Sequence, residues 1–495
     1  MAAPEKTVSG TAPGLRRDAI GLREVLFQSI TDMAPAAAIA ASIPAGAGLA
    51  GGSLPLAVVF ALVACLLCAW CIGLLASEMP ASGSLATYAA RGLHPSLGFL
   101  VAWAYVLVGW LIPPLVLLQL GFTTAATINS EFGGYPADLW WPWSLAGAVI
   151  VLAAGYFGIR ASARLGTILG ISEIAVFLVL AVFFLVHAGG HNTAQVFTTH
   201  YSPTGLTGVI GGSVFTLLAF GGFEGAAPLA EETRDPRRTI RRAVLLATLL
   251  IGLLYVFTTY AADVAYGPGH FADFASFTGR ASWEGLARDL YGLFWFFVFL
   301  AIVNSTVANA NAGVNVSSRT AYAMGRIGAF PRFLAIVSSR HRSPVNSVLV
   351  AFVITVAVTL GLGLGYGPEV AFAMVATGLV IVLVAIYILM NASCLGFFAR
   401  RGTGFNWLSH LIVPLLGIAA FVPAWLTAAG IKVFSFVTPL APPLSYMGPG
   451  VAGFMVLGVI YMIILYRTNP QRVTDVGLVH LDALDEEAVL EEEAS

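Results

Sequence analysis

Long apolar runs separated by short polar breaks recur along the chain from Val25 to Tyr466. About 20 apolar residues suffice for one helical crossing of a bilayer, so each run is long enough to be a transmembrane helix. The pattern predicts twelve spans, numbered 1 to 12, near residues 25–50, 54–77, 97–128, 141–157, 165–188, 207–230, 241–266, 287–322, 345–365, 369–397, 408–430 and 447–466. The third and eighth runs are longer than one crossing needs, so we expect tilt or protrusion there.

The composition agrees with a chain that is mostly embedded in lipid. Of its 495 residues 58% are hydrophobic and 10% are charged, whereas soluble proteins carry about 25% charged residues. Twelve spans use about 240 residues, which leaves enough for loops and tails but not for a large soluble domain. A soluble enzyme, a nucleic-acid-binding protein and a secreted disulfide scaffold are therefore excluded. The sequence predicts an all-α polytopic membrane protein.

Basic residues predict the orientation of the spans. If the N-terminus lies inside, 21 of the 24 Lys and Arg residues fall on the inner side, and only Arg280, Arg288 and Lys432 fall outside. Cytoplasmic loops carry an excess of Lys and Arg, so both termini are predicted in the cytoplasm of a cell-membrane protein. We call the side of the termini the inner face and the opposite side the outer face. The predicted organisation is a tail at 1–24, a core at 25–397, two further helices at 398–466 and an acidic tail at 467–495.

Spans 1 and 6 contain residues that interrupt a helix. Span 1 carries Pro35 and Pro44 and ends in several glycines, and span 6 carries Gly221-Gly222 and then Pro228. Proline removes a backbone donor, and glycine tolerates unwound backbone. In lipid, unpaired backbone groups are tolerated only where they line a cavity or bind something. Interrupted helices five spans apart are typical of inverted-repeat transporters, whose substrate site lies between them.

Three strings resemble one known family, the amino acid–polyamine–organocation (APC) transporters. They are "ASEMPASGSLATYAARGLHPSLGFLVAWAYVLVGW" after span 2, "LLAFGGFEGAAPLAEETRDPRRTIRRA" in span 6, and "NSTVANANAGVNVSSRTAYAMGRIGAFPRFLA" at the end of span 8. The resemblance covers spans 1 to 10. It implies a secondary transporter with twelve helices, a 5+5 inverted-repeat (LeuT-like) fold and alternating access, which is not an enzyme and has no cofactor. It also implies that the substrate is an amino acid, a polyamine or a related amine.

The resemblance implies a substrate site between the two interrupted spans. Its candidate residues are Pro35, Ala36, Ala37 and Ala38 of span 1 and Phe220, Gly221, Gly222 and Phe223 of span 6. The family usually has G-(S/T)-G in span 1, where backbone N–H groups take the substrate carboxylate. Here Pro35 has no N–H to donate, which weakens the case for an ordinary α-amino acid. Carbonyl groups of span 6 are expected to receive the substrate ammonium.

Ionisable and oxygen-bearing residues inside the spans are candidates for ion coupling, because charge is costly in a membrane. They are Asp32, Glu173, Glu224, Asn304, Ser305 and Thr306. The stretch around Glu173 resembles a family stretch in which several sodium-independent members have a lysine at this position. Glu173 therefore replaces a fixed positive charge with a group that can carry a proton or attract Na⁺. Bracing of the interrupted helices is the alternative role for Glu224 and Asp32.

Other features leave alternatives open or point to no function. A membrane-embedded enzyme would need catalytic groups that converge in a cavity, and no His lies in the middle of a span. A channel would need a filter-like string, and none is present. Cys65, Cys68 and Cys71 lie in an apolar run without nearby His or carboxylate groups, so they are expected to pack as small apolar side chains and to bind no metal. Asp263, near the outer end of span 7, is expected at the membrane interface. The sequence leaves open the exact substrate, H⁺ against Na⁺ as coupling ion, symport against exchange, and the oligomeric state.

Overall fold

The computed structural model describes residues 20–80, 83–157, 163–326, 328, 330–337, 343–401 and 404–474. Most of the predicted N-terminal tail and of the acidic C-terminal tail lies outside these residues, as does the beginning of the span-5 string that resembles the family. The predictions made for those two tails are therefore not tested by the structure.

Within the described residues the fold is helical and contains no β-strand. The α-helices are α1 (Leu22–Asp32), α2 (Pro35–Ala37), α3 (Ile43–Ala45), α4 (Ala47–Ala50), α5 (Leu54–Glu78), α6 (Ser84–Gly92), α7 (Pro95–Phe132), α8 (Trp141–Phe157), α9 (Ala163–Ala188), α10 (Leu206–Ala219), α11 (Pro236–Tyr266), α12 (Trp283–Tyr291), α13 (Phe294–Arg326), α14 (Val345–Tyr366), α15 (Pro368–Arg401), α16 (Val413–Ala429), α17 (Met447–Thr468) and α18 (Gln471–Thr474). One isolated backbone bridge joins Ile20 to Thr233 at the inner face.

Eleven helical segments of the described chain are long and apolar enough to cross a membrane. The first of them, Leu22–Glu78, has 57 residues and contains both predicted spans 1 and 2. One crossing needs about 20 residues, so this segment is long enough for two crossings. The other ten segments coincide with predicted spans 3 to 12, although their ends differ by several residues. The total of twelve crossings stays a prediction.

The predicted beginning of span 8 is wrong. The apolar pattern places it at residue 287, whereas residues 283–291 form the separate short helix α12 and α13 begins only at Phe294. The Ser282 hydroxyl caps α12 by accepting a hydrogen bond from the Gly285 N–H at 3.0 Å. Gly292, with φ of 54°, ends α12 in a backbone conformation that favours glycine. The apolar residues continue across this turn, which is why the pattern does not reveal it.

The packing of the spans has the symmetry expected of an inverted repeat. Span 2 packs along span 7, and span 3 packs along span 8 (α5 with α11, α7 with α13). Two further contacts form matched pairs. Span 3 contacts span 10 as span 8 contacts span 5, and span 7 contacts span 5 as span 2 contacts span 10. A repeat that relates each span to the one five positions later produces both kinds of pair. Spans 1 and 6 are equivalent in this arrangement.

Both of these equivalent spans are interrupted. In span 1, α1 ends at Asp32, and Ala34 adopts left-handed backbone angles (φ 46°, ψ 66°) before Pro35 starts the next helical piece. Proline disfavours helical angles in the residue before it, which explains why the helix stops here. In span 6, α10 ends at Ala219, Gly222 has φ of 108°, and a 3₁₀ segment follows at Phe223–Glu232.

Candidate functional site

The two interruptions pack directly against each other. A Cβ atom on Gly222 would lie 2.6 Å from the backbone carbonyl carbon and oxygen of Asp32, so only a glycine allows this approach. Gly225 similarly contacts the Asp32 carboxylate. The Ser29 hydroxyl donates to the Phe223 carbonyl at 3.0 Å and ties α1 to the beginning of the 3₁₀ segment. The interruptions of spans 1 and 6 therefore lie side by side.

Side chains from three other spans hold the carbonyl groups of span 1. Asn309 of span 8 donates to the Asp32 carbonyl at 3.2 Å, and Tyr255 of span 7 donates to the Met33 carbonyl at 3.1 Å. Gln119 of span 3 donates to the Ala37 carbonyl at 3.0 Å. These donors stabilise the interruption, because buried carbonyl groups without partners are costly. The sequence analysis missed all three, although a lone Gln or Asn in an apolar run is a signal that could have found two of them.

Glu224 is held at the start of the 3₁₀ segment of span 6. It is 2% exposed, and its carboxylate accepts hydrogen bonds from the Gly222 N–H at 3.1 Å and the Tyr387 hydroxyl at 2.9 Å. The Tyr105 hydroxyl lies 3.5 Å from its other oxygen. Glu224 thus braces the unwound segment, as one of its two predicted roles requires. Tyr105 and Tyr387 were not predicted, because tyrosines in apolar runs look like ordinary core residues.

Asp32 lies beside Glu224 at the end of α1. It is partly buried, and its carboxylate accepts a hydrogen bond from the Gln28 side chain at 2.9 Å. The Asp32 carboxylate also contacts Gly225, the residue that follows Glu224. Two carboxyl groups therefore border the interruptions on their inner side. Such an acidic pair attracts a cation or an ammonium group.

Glu173 lies on the other side of the interruption of span 1. It is 5% exposed, and it accepts a short hydrogen bond from the Asn304 amide. Its carboxyl group also faces the Ser305 hydroxyl and the backbone N–H of Ala36. The structure thus brings together four of the predicted residues, one of them from the predicted substrate site. The Ala36 N–H is one of the backbone donors that the family resemblance assigns to the substrate carboxylate, and here the Glu173 carboxylate faces it.

Thr306 and the phenylalanines have different surroundings. Thr306 is buried, and its hydroxyl donates to the Val303 carbonyl of its own helix at 2.9 Å. This hydrogen bond does not involve Glu173. Phe220 packs edge-on against Tyr255 with ring centroids 5.4 Å apart, and Phe223 packs against Tyr387 at 5.0 Å. Both phenylalanines are buried, and their rings pack against tyrosines of other spans.

Buried charge at the site is acidic. Among the described residues, no Lys or Arg side chain is buried, whereas Glu173 and Glu224 are. An uncompensated buried carboxylate is unstable unless it is protonated or paired with a cation. The arrangement can therefore hold protons, a metal cation or a substrate ammonium.

Most of the predicted substrate residues are buried, but Gly221 and Gly222 are partly exposed. Ala36, Ala37, Ala38, Phe220 and Phe223 are at most 4% exposed. A cavity of about 210 Å³ elsewhere in the structure is lined by apolar residues and includes none of the candidate site residues.

Comparison with known proteins agrees with this architecture. The model of the family described as amino acid permease matches residues 24–470. The chain belongs to the amino acid permease family. This confirms the family resemblance of the three strings and identifies the protein as a transporter-family member rather than an enzyme. The predicted APC membership and the helical membrane architecture are thereby established.

Several relatives of this permease are characterised to different degrees. It is 29% identical over 316 residues to the low-affinity putrescine importer PlaP of Escherichia coli K12, an alignment that covers 61% of this chain and 66% of PlaP. It is 27% identical over 315 residues to the branched-chain amino acid permease BcaP of Bacillus subtilis, covering 60% of this chain and 65% of BcaP. An uncharacterized transporter of Mycobacterium tuberculosis H37Rv is 28% identical over 476 residues, covering 94% and 95%. The aligned part thus spans slightly less than two thirds of PlaP and BcaP.

Proposed function

We propose that this permease is a secondary active transporter of amino acids or related amines in the cell membrane, working by alternating access. The observation that carries the proposal is the direct packing of the two interrupted spans at Gly222 and Asp32, with buried carboxyl groups on both sides of the junction. The names of PlaP and BcaP describe an amine importer and an amino acid permease, and they support the same substrate classes.

We place the substrate between spans 1 and 6. The Ala38 N–H already donates to the Ala34 carbonyl at 2.9 Å, which leaves Ala36 and Ala37 as donors at the start of the second half of span 1. A substrate would share the Ala36 N–H with the Glu173 carboxyl group that faces it. The Phe223 carbonyl accepts from Ser29, so it is available to a substrate ammonium only through its second lone pair. The acidic pair Asp32 and Glu224 offers a stronger interaction with an ammonium group.

Glu173 is the residue that we propose for coupling to protons. Closure around a carboxyl group removes water and favours the protonated form, whereas opening to water favours ionisation. A change in access can therefore be linked to uptake and release of one proton. Sodium coupling is the second candidate, because Glu173 faces the Ser305 hydroxyl, and carboxylate and hydroxyl oxygens suit a hard cation.

The substrate class can be found by ligand-induced thermal stabilisation of the purified protein. A ligand that binds only the folded state raises its stability in proportion to RT ln(1 + [L]/Kd). Putrescine, longer polyamines, branched-chain amino acids and basic amino acids form the first panel. We expect a concentration-dependent rise in the unfolding temperature with at least one amine or amino acid, followed by its uptake into proteoliposomes. Uptake no faster than in protein-free liposomes for the whole panel would contradict the proposal.

Bulky substitutions test the placement of the site. Ala37→Phe and Gly221→Leu add side chains at the junction, so we expect both to abolish ligand-induced stabilisation while the protein still inserts and folds. Gly361→Leu is the matched control, because a Cβ at Gly361 in span 9 meets no heavy atom within 4 Å. Normal ligand affinity in both junction variants would show that the interruptions are only kinks.

The coupling ion is tested with the wild-type protein in proteoliposomes. Proton coupling predicts accumulation driven by an inward pH gradient at constant sodium concentration. Sodium coupling predicts accumulation driven only by a sodium gradient. An exchanger would show neither response and would transport only against a substrate loaded on the opposite side.

A further inference from the structure

Asp263, near the outer end of span 7, is expected from the sequence at the membrane interface, and this expectation is wrong. Its side chain is 0% exposed, and neither carboxylate oxygen has a hydrogen-bond partner among the described residues. The hydroxyl groups of Thr259 and Ser53 are also buried without partners. Thr259 lies one turn before Asp263 on the same helix, so the two side chains are neighbours.

The packing of α11 against α5 shows what Asp263 faces. The two helices are antiparallel: a Cβ on Gly73 would lie 3.5 Å from the Arg241 Cα, and Gly252 contacts Leu62. Arg241 and Gly252 are eleven residues apart, which is close to three helical turns, and Asp263 follows after another eleven. On α5 the contacted residue moves back by the same eleven positions, from Gly73 to Leu62. Extending the same register past Leu54, where α5 begins, places Asp263 near the level of the 3₁₀ turn Gly51–Ser53.

Two segments adjoin this position at the outer face, one before α5 and one after α11, and we call them the outer cap. They are residues 47–53, which include α4 and a 3₁₀ turn, and the 3₁₀ segment Pro268–Ser276 that follows α11. A Cβ on Gly52 would lie 2.9 Å from the Pro268 Cα, and one on Gly48 would lie 3.3 Å from the Ala275 Cβ. The two segments thus touch at both ends. One of them is the outer end of interrupted span 1, so the cap is continuous with the span that contributes to the proposed site.

Asp263 has no charged partner in this position. The described ion pairs of the outer face join Arg280 to Asp289 and Arg288 to Glu131. The titratable groups on the packed elements are His270 and Asp273 of the cap, Tyr266 at the end of α11, and His187, His191 and His200 near the end of span 5. None of them is recorded as bonded to Asp263, and all the histidines and Asp273 are exposed.

We propose that Asp263 is a second proton-binding site of this permease, separate from Glu173 and governed by the outer cap. An ionised carboxylate buried without a partner is far less stable than a protonated one. Asp263 therefore holds its proton while the cap is packed over it. When the cap separates, water reaches the carboxyl group and the proton leaves to the outer solution. Low external pH favours the closed cap, and high external pH favours the open one.

Thiol labelling of the cap tests the proposal in the reconstituted full-length protein. Ala47→Cys introduces a reporter at a position of the outer cap that is 0% exposed, and all four native cysteines are buried. In nanodiscs both faces are accessible, so the test does not depend on the predicted orientation. We expect the labelling rate to rise between about pH 6 and pH 8, by up to about tenfold per pH unit, which is the limit for release of one proton. The rates are first corrected for thiol ionisation with a free-cysteine peptide.

Variants of Asp263 separate this site from other titrating groups. The parent is the protein with the reporter cysteine and no other change. Asp263→Asn imitates the protonated carboxyl group, so its labelling should be as slow at every pH as the labelling of the parent is at low pH. Asp263→Ser is a second neutral variant, and it should behave in the same way. His270→Gln and Asp273→Asn change exposed groups of the same cap and should keep the pH dependence. Labelling of the parent that does not change with pH, or a neutral variant with the slope of the parent, would overturn the proposal.

Discussion

Gly222 offers a sharp test of the junction between the two interrupted spans. It has φ of 108°, and its Cα faces the backbone of Asp32 and Met33. We consider Gly222→Ala, the smallest change that adds a side-chain atom. The new methyl group would lie 2.6 Å from the Asp32 carbonyl and 2.9 Å from the Met33 nitrogen. Because both neighbours are backbone atoms, no side-chain rotation can relieve the overlap.

Two energetic terms add in this variant. A positive φ costs a non-glycine residue about 1–2 kcal/mol, and overpacking of a close interface costs about 1–3 kcal/mol. The expected loss of stability is therefore about 2–5 kcal/mol. Gly205→Ala is the matched control: Gly205 has φ of 62°, but a Cβ there meets no heavy atom within 4 Å. It should lose only the backbone term of about 1–2 kcal/mol.

The comparison can be made by thermal unfolding in detergent with a thiol-reactive dye, which the four buried native cysteines make possible. We expect Gly222→Ala to lower the unfolding temperature two to three times as much as Gly205→Ala does, and to reduce ligand-induced stabilisation as well. Equal shifts for the two variants would refute the close backbone contact between Gly222 and span 1.

Three further predictions concern other parts of the protein. Burial raises the pKa of Glu284, on α12 at the outer face, from 4.5 to about 7. The folded state then binds more protons at this group than the unfolded one, so its contribution to stability should fall by about 3 kcal/mol between about pH 4.5 and pH 7, and Glu284→Gln should make the total fall smaller by that amount. Tyr387→Phe, which deletes the 2.9 Å hydrogen bond to Glu224, should cost about 1.5–3 kcal/mol of stability, measured by the same dye assay. A cysteine at Ser276 should react with an impermeant maleimide in intact cells, whereas one at Ser338 should react only after permeabilisation; the reverse result would contradict the predicted topology.

The membrane-spanning pattern and the interruptions could be predicted because they depend on local chemistry. Apolar runs of sufficient length predict crossings, and proline and glycine mark positions where a span can be interrupted, although Pro113 and Pro114 lie within the continuous helix α7. The short helix α12 could not be predicted, because its separation from α13 depends on Gly292 within a run that stays apolar on both sides. A hydrophobic pattern alone does not reveal a change of direction between two apolar helices.

The candidate site was predicted in part. Glu173 and Asn304 were chosen as separate polar residues within spans, and the structure joins them by a hydrogen bond. Tyr105 and Tyr387 were missed, since their partner Glu224 is distant in sequence and their rings fit the apolar pattern. Asp263 was misjudged for a related reason: its place near a helix end suggests contact with water, but it is buried where distant segments of the chain adjoin it.

Uptake by Glu173→Gln tests the proposed transport mechanism most directly. Gln imitates the protonated carboxyl group and keeps an acceptor for Asn304, so the site should retain its shape. Once the ligand screen has identified a substrate, proteoliposomes with the wild-type protein should accumulate it under an inward pH gradient. Glu173→Gln should lose this accumulation but keep substrate binding and counterflow under equal pH. If wild type and Glu173→Gln accumulate substrate alike under every ion gradient, Glu173 is structural and the coupling account is wrong.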